Sequence, residues 1–273
     1  MKPNMYYQSV NGQVEQHPSI NNRGLAYGDG VFTTAKVLDG KVERLASHIE
    51  RLTMSCKTLN IPLPDMNKVI IELMAVAERY TLSVTKVIIT AGDGGRGYSR
   101  QGCQTSNVII TFHPFPEHYA NMQQQGLHLG VSSLKLGISP LLSGIKHLNR
   151  LEQVLVRQEV DNRAEDDLLV LNYFDDIVEA SAANVFWLKN NVWYTPKLKE
   201  SGVEGLMRNH ILQTTGNYCK IEVVNVKLAA LINIQAMFIC NSVMGIMPVR
   251  QFQHQKLALM PCRDMAKFIE DIS

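Results

Sequence analysis

Lys146 stands in GIKHLNRLEQVL (144–155), after a loop of small and apolar residues and ahead of a strongly patterned run. Most lysines are solvated surface charges, whereas an amine withdrawn from water loses proton affinity and becomes nucleophilic enough to form an imine. Pattern alone leaves both readings open. Glu179, in DDIVEASAANVFW (175–187), lies between Val178 and a run of small residues. It reads either as a solvating charge on an edge strand or as a buried carboxylate paired with a cation. A protonated pyridine nitrogen would be such a cation, and holding its proton turns the ring into an electron sink.

A third segment, SGVEGLMRNHILQ (201–213), places Gly205 just before a helical pattern. The amides of Leu206 and Met207 would then open the helix without intrahelical partners, an arrangement that suits a phosphate. Many helices begin after glycine, so the feature is weak by itself. Asn241 and Ser242, after the apolar run AMFIC, read as a polar turn or as further donors. Arg51, three residues beyond His48, is either a surface charge or a guanidinium matched to phosphate.

These residues need elements to hold them. VFTTAKVLDGKVERL (31–45) predicts two strands joined at Asp39-Gly40, a dipeptide that accepts the positive φ of a tight hairpin. Helices are expected over Ala46–Leu59, stopped by Pro62, and from Asp65 to about Tyr80. Strands Lys86–Ala91 and Asn107–Phe112 flank the glycine-rich loop GDGGRGYSRQG. The polar stretch HPFPEHYANMQQQG suggests a boundary, giving a domain at 1–113, a linker at 114–126 and a second domain at 127–273. The second domain opens with a strand at Leu127–Leu134. A helix from about Leu148 to Asn162 follows the lysine, with Leu148, Leu151, Leu155 and Gln158 on one stripe. Further strands are expected at 168–173, 177–180, 184–189, 220–226 and 237–240, with a helix from Gly205 to about Thr215. Interleaved strands and helices predict an α/β or α+β fold.

Composition narrows the partners. A formal charge of +2 over 273 residues gives no basis for nucleic acid or an anionic membrane as partner. No run approaches the length of a membrane span, and MKPNMYYQSV lacks the apolar core of a signal peptide, so a cytoplasmic protein is expected. Five cysteines without CxxC spacing and eight histidines without paired spacing predict free thiols and no metal.

Together the motifs resemble the fold-type IV (class IV) pyridoxal phosphate (PLP) enzymes. The likeness runs from NRGLAYGDGVFTT (22–34) to MGIMPV (244–249), with an arginine in HIERL, a lysine in KHLNRLEQ, a glutamate in VEASAANVF and a glycine in GLMR, in that order. The resemblance implies an N-terminal α/β domain, a C-terminal pseudo-barrel domain, PLP between them and a homodimer. It further implies that Lys146 carries PLP as a Schiff base and that Glu179 contacts the pyridine nitrogen. Arg51, the amides of Leu206 and Met207, and Asn241 with Ser242 would surround the phosphate, while Val203 packs against the ring.

Transaminases of the family commonly carry an acidic residue after the aromatic of the first hairpin, where this chain has Phe32-Thr33-Thr34. With GGRGYS (94–99) and HLNRLEQVL, this resembles the family's lyase branch, which forms 4-aminobenzoate and pyruvate for folate synthesis. Amino transfer by a D-amino acid or branched-chain enzyme is the alternative, and a non-catalytic PLP-binding protein a weaker one. The lyase reading makes Thr34 the group that positions a donor at the departing oxygen, and Arg96 with Tyr98 the substrate's carboxylate contacts. The alternative for the loop carrying them is a mobile, solvated hairpin tip. Arg150 lies where some relatives hold the cofactor's phenolic oxygen with tyrosine, and His147 reads as a packing or hydrogen-bonding residue.

Overall fold

The structure is a computed structural model that describes residues 6–14, 17–216 and 218–272. The chain forms two compact units, 1–116 with 146–149, and 117–145 with 150–273.

The first unit contains β1 (Tyr7–Val10), β2 (Gln13–Val14), α1 (Arg23–Tyr27), β3 (Gly30–Leu38), β4 (Lys41–Val42), α2 (Leu45–Thr58), α3 (Met66–Ala77), β5 (Leu82–Thr90) and β6 (Asn107–Pro114). Its sheet has the order β2-β1-β6-β5-β3-β4, with every pairing antiparallel. Alternation along β3 sends Val31, Thr33, Ala35 and Val37 into the core with Leu52 of α2 and Leu73 of α3. Phe32, Thr34 and Lys36 line the opposite face, where Thr34 of β3, Lys86 of β5 and Thr111 of β6 are in register.

Strand β4 pairs only with the last residues of β3, at Val37 and Leu38. The free edge at the start of β3 is taken by the segment around His147. Phe32 N–H donates to Lys146 O (2.9 Å), Leu148 N–H donates to Gly30 O (2.9 Å), and Val31 bridges His147 antiparallel. Gly30 permits this approach, because a Cβ there would meet Leu148 Cδ1 and Ile89 O, each at 2.7 Å. The helix expected from Leu148 therefore begins at Leu151, and residues 146–149 belong to the first unit, bridged to β3 at His147.

The second unit contains α4 (His118–Gln125), β7 (Leu127–Leu136), α5 (Leu151–Asp161), β8 (Asp167–Asn172), β9 (Ile177–Ala180), β10 (Asn184–Lys189), β11 (Val192–Pro196), α6 (Leu206–Thr214), β12 (Ile221–Val224), β13 (Ala236–Asn241), β14 (Gly245–Phe252), β15 (Gln255–Lys256) and α7 (Met260–Asp271). Its mixed sheet runs β12-β11-β10-β13-β14-β7-β8-β9, with β15 on β14, and curls as a half-barrel. One face packs Leu127, Leu129, Leu169, Ile177, Val185, Trp187 and Met247. The other packs Phe186, Phe238 and Trp193 against α6 and α7.

Two expectations are corrected here. Residues 114–126 are no bare linker: they hold the end of β6 and helix α4, and Gln123 Nε2 ties α4 to Met244 O at 2.8 Å. Helix α4 has no buried residue, and that polarity gave it the composition of a loop. On α5 the buried residues are Val156 and Val160, whereas Leu151, Val154 and Leu155 are exposed. The stripe inferred by extending the helix back to Leu148 is therefore not the packed face.

Candidate active site

In the first unit, the pairing of 146–148 with β3 determines where Lys146 points. Val31 and His147 share the core face and are both buried. Their neighbours Phe32 and Lys146 share the open face, and Lys146 Nζ lies 4.5 Å from the Phe32 ring centroid. His147 Nδ1 accepts the Asn149 amide (3.2 Å), a hydrogen bond within its own turn. Thr34 lies two residues along the same face from Phe32, half-buried. Lys86 Nζ lies 4.8 Å from the same Phe32 centroid. Its position was legible as strand, but nothing in the sequence marked it as sharing a ring with Lys146.

Arg51 is half-buried on α2, one turn beyond His48. His48 is buried and shares a 2.6 Å hydrogen bond between Nδ1 and Thr33 Oγ1. Burial, with the Arg51 and Arg44 charges adding to it, pushes its imidazole down to about 3. His48 therefore remains neutral beside Arg51 at any physiological pH.

The glycine-rich loop is not the free tip that its composition suggests. Buried Arg23 donates to the carbonyls of Ser99 (2.9 Å), Tyr98 (3.2 Å) and Gly97 (3.3 Å) and pairs with Asp29 at 2.8 Å. The backbone is gathered around one guanidinium while the side chains of Arg96 and Tyr98 face outward. Tyr98 is 88% exposed and meets Tyr27 edge-on.

In the second unit, Glu179 is 5% exposed, so it is no solvating edge charge. Strand β9 is buried along its whole length. The Val203 amide donates to Glu179 Oε2 at 2.9 Å, and Gln153 Nε2 lies 3.5 Å from Oε1. Burial lowers the proton affinity of the Arg150 guanidinium, while the charges of Glu179 and then Glu152 work to raise it. Arg150 thus stands in the field of Glu179 and also donates to Ile145 O.

The loop before α6 is clamped by a residue that sequence reasoning missed. Asn184, buried at the start of β10, accepts from Gly205 N–H (3.0 Å) and donates to Val203 O (2.9 Å). A Cβ on Gly205 would stand 2.0 Å from Asn184 Oδ1, so the position before the helix must be bare. No side chain caps α6, and the first-turn amides of Leu206 and Met207 project from its start. Gly202, at φ +86°, keeps the loop against Glu179, since a Cβ there would meet Val178 Cγ1 at 2.6 Å. Asn241 Oδ1 accepts the amides of Val243 and Met244, both at 2.9 Å, so Asn241 shapes the turn that carries half-buried Ser242.

A cavity of about 470 Å³ in the same unit is bordered by Tyr119, Asp167, Ser181, Asn241 and Met244, but not by Glu179, Val203 or Leu206. Among the described residues no His, Cys, Asp and Glu cluster could hold a metal, and no helix is long and apolar enough to cross a membrane.

Each unit, taken by itself, carries groups that suit PLP. A bare, uncapped helix start fits a phosphate, a buried carboxylate fits a protonated ring nitrogen, and a half-buried amine over an aromatic ring fits an aldehyde.

Comparison with known proteins agrees with this chemistry. The family model described as amino-transferase class IV matches residues 30–252. The chain is 38% identical over 241 residues to the aminodeoxychorismate lyase of Vibrio harveyi, covering 88% of this chain and 89% of that protein. It is 26% identical to the D-alanine aminotransferase of Bacillus licheniformis, over 87% of this chain and 84% of that one. The crystal structure of 4-amino-4-deoxychorismate lyase from Pseudomonas aeruginosa superposes with a TM-score of 0.91 at 33% identity, covering 97% of this chain and 98% of that one.

Proposed function

Because the chain belongs to the amino-transferase class IV family, we propose that it is a PLP-dependent carbon–oxygen lyase converting 4-amino-4-deoxychorismate to 4-aminobenzoate and pyruvate. The observation that carries this reading is the docking of 146–148 on β3, which sets the Lys146 amine on the same face as Phe32 and Thr34. Likeness to two lyases over nearly the whole chain supports the lyase over the aminotransferase.

In this reading Lys146 holds PLP by its amine and Glu179 keeps the ring nitrogen protonated. Arg51, the amides of Leu206 and Met207, and Ser242 on the turn shaped by Asn241 take the phosphate, and Val203 packs on the ring. Bound PLP supplies an electron sink for the carbon that bears the substrate's amine. The remaining work belongs to the protein. The neutral amine of Lys146 removes the proton from carbon 4. As the bond from the adjacent carbon to the enolpyruvyl oxygen breaks, the Thr34 hydroxyl supplies a hydrogen bond to that oxygen, directly or through water. The ring becomes aromatic, which drives the step without an amino acceptor, and the released enolpyruvate becomes pyruvate. Arg96 and Tyr98, outward-facing on this chain, serve a carboxylate of the substrate held by a neighbouring subunit in a homodimer. The enzyme acts in the cytoplasm, in folate biosynthesis.

The test is acceptor-free turnover. Protein loaded with PLP and given 4-amino-4-deoxychorismate without any keto acid is expected to release 4-aminobenzoate and pyruvate in equal amounts. Borohydride reduction is expected to leave the cofactor on the peptide containing Lys146. Reaction only when 2-oxoglutarate is added would reassign the protein to amino transfer.

A further inference from the structure

The open face of the first unit's sheet carries two lysines near its middle, and they differ in their surroundings. Lys36 of β3 is ion-paired with Glu43 at 2.9 Å. Lys86 of β5 makes no ion pair among the described residues; its contact is the face of Phe32, 4.8 Å from the ring centroid. It is half-buried, and burial lowers its proton affinity. An ammonium taken partly out of water without a carboxylate against it is held at a cost that an arriving anion offsets.

Its neighbours are hydroxyls. In register across three strands stand Thr34, Lys86 and Thr111. Thr111 Oγ1 is 3.0 Å from His113 Nε2. Burial, and next the charge of Lys86, push the His113 imidazole down, so it adds no competing cation. The residue directly opposite Lys86 is thus Thr34, the group assigned to the departing ether oxygen. In an enolpyruvyl ether the carboxylate carbon lies two bonds from that oxygen. Directly opposed residues of antiparallel strands are about 4.5–5.5 Å apart at Cα, so their side chains can address two such neighbouring groups.

We infer that Lys86, flanked by the hydroxyls of Thr34 and Thr111, is the anion subsite that takes the enolpyruvyl carboxylate of the substrate. The inference rests on the proposed lyase reading. It gives the first unit its own reason to prefer a diacid, because a simple amino acid has no second carboxylate to offer this position.

Chorismate is a suitable probe, since it carries the same ether and both carboxylates but a hydroxyl in place of the amine. Binding of chorismate and of 4-aminobenzoate to the PLP-loaded protein is measured by titration calorimetry for wild type, Lys86→Met and Lys86→Arg. Lys86→Met is expected to weaken chorismate by about 10- to 100-fold, the scale of a charged hydrogen bond, and to leave 4-aminobenzoate unchanged. Lys86→Arg is expected to stay within about threefold of wild type. Unchanged chorismate binding by Lys86→Met overturns the subsite. A parallel loss of 4-aminobenzoate binding overturns its assignment to the leaving group in favour of the ring carboxylate. Circular dichroism spectra matching wild type establish that the variants are folded, and a Thr111→Val variant, expected to weaken chorismate alone, supplies a second route if Lys86→Met is misfolded. Lys146 trapping and acceptor-free release, followed in wild type, report on the lyase reading separately.

Discussion

His48 cannot take up a proton without carrying the charge into the core beneath α2. Its pKa is about 3 in the folded chain, against about 6.5 for an unperturbed histidine. Between those values the unfolded chain binds the extra proton, so stability falls as pH falls through this window. From pH 7 to 5 the loss amounts to roughly 2 kcal/mol. Urea unfolding of the cofactor-free protein at both pH values is expected to show wild type losing about that much more than His48→Gln; equal losses would acquit the histidine. The sequence marked His48 only as the residue one turn before Arg51. Its partner Thr33 is adjacent to Thr34 in sequence yet faces the other side of the sheet, so the two threonines cannot exchange roles. The strand period already predicted that division. It did not predict which face the lysine segment would join.

At the scale of elements, the site depends on an edge of β3 that β4 leaves open and residues 146–148 fill. Gly30→Ala is expected to place a methyl 2.7 Å from Ile89 O, a backbone atom unable to move aside cheaply. We expect the variant to lose about 1–3 kcal/mol in urea unfolding, the usual scale of overpacking. The yield of borohydride-trapped cofactor at Lys146 should also fall, because the segment is pushed off the strand. Normal trapping in a destabilised variant would mean that the pairing does not position the amine. The hairpin of β3 and β4, helices α2 and α3 and most strands of the second unit were legible from periodicity and turn residues. Helices α1, α4 and α7, the strands of the N-terminal hairpin and the true start of α5 were not. Helix α4 has no fully buried residue and sets only half-buried Tyr119 and Met122 on the core, and the residues before α5 are held by strand pairing that no local pattern reveals.

For the molecule as a whole, α5 presents Leu151, Val154 and Leu155 to solvent, with Leu151 at 71% exposure. An exposed apolar helix face of this kind is what a second copy would cover in the proposed homodimer. Light scattering is expected to give twice the chain mass for wild type and a shift toward monomer for Leu151→Glu combined with Leu155→Glu; an unchanged dimer would place the interface elsewhere. Ordered motifs along the chain were enough to read the family and the α/β class and to single out the candidate lysine, glutamate and helix start, because residue type and order survive without coordinates. The pairing of Lys146 with β3, the clamp of Asn184 on Gly205, the anchoring of the glycine loop by Arg23 and the isolation of Lys86 beside Phe32 depended on folding. Each joins residues distant in the chain through contacts that local periodicity cannot encode.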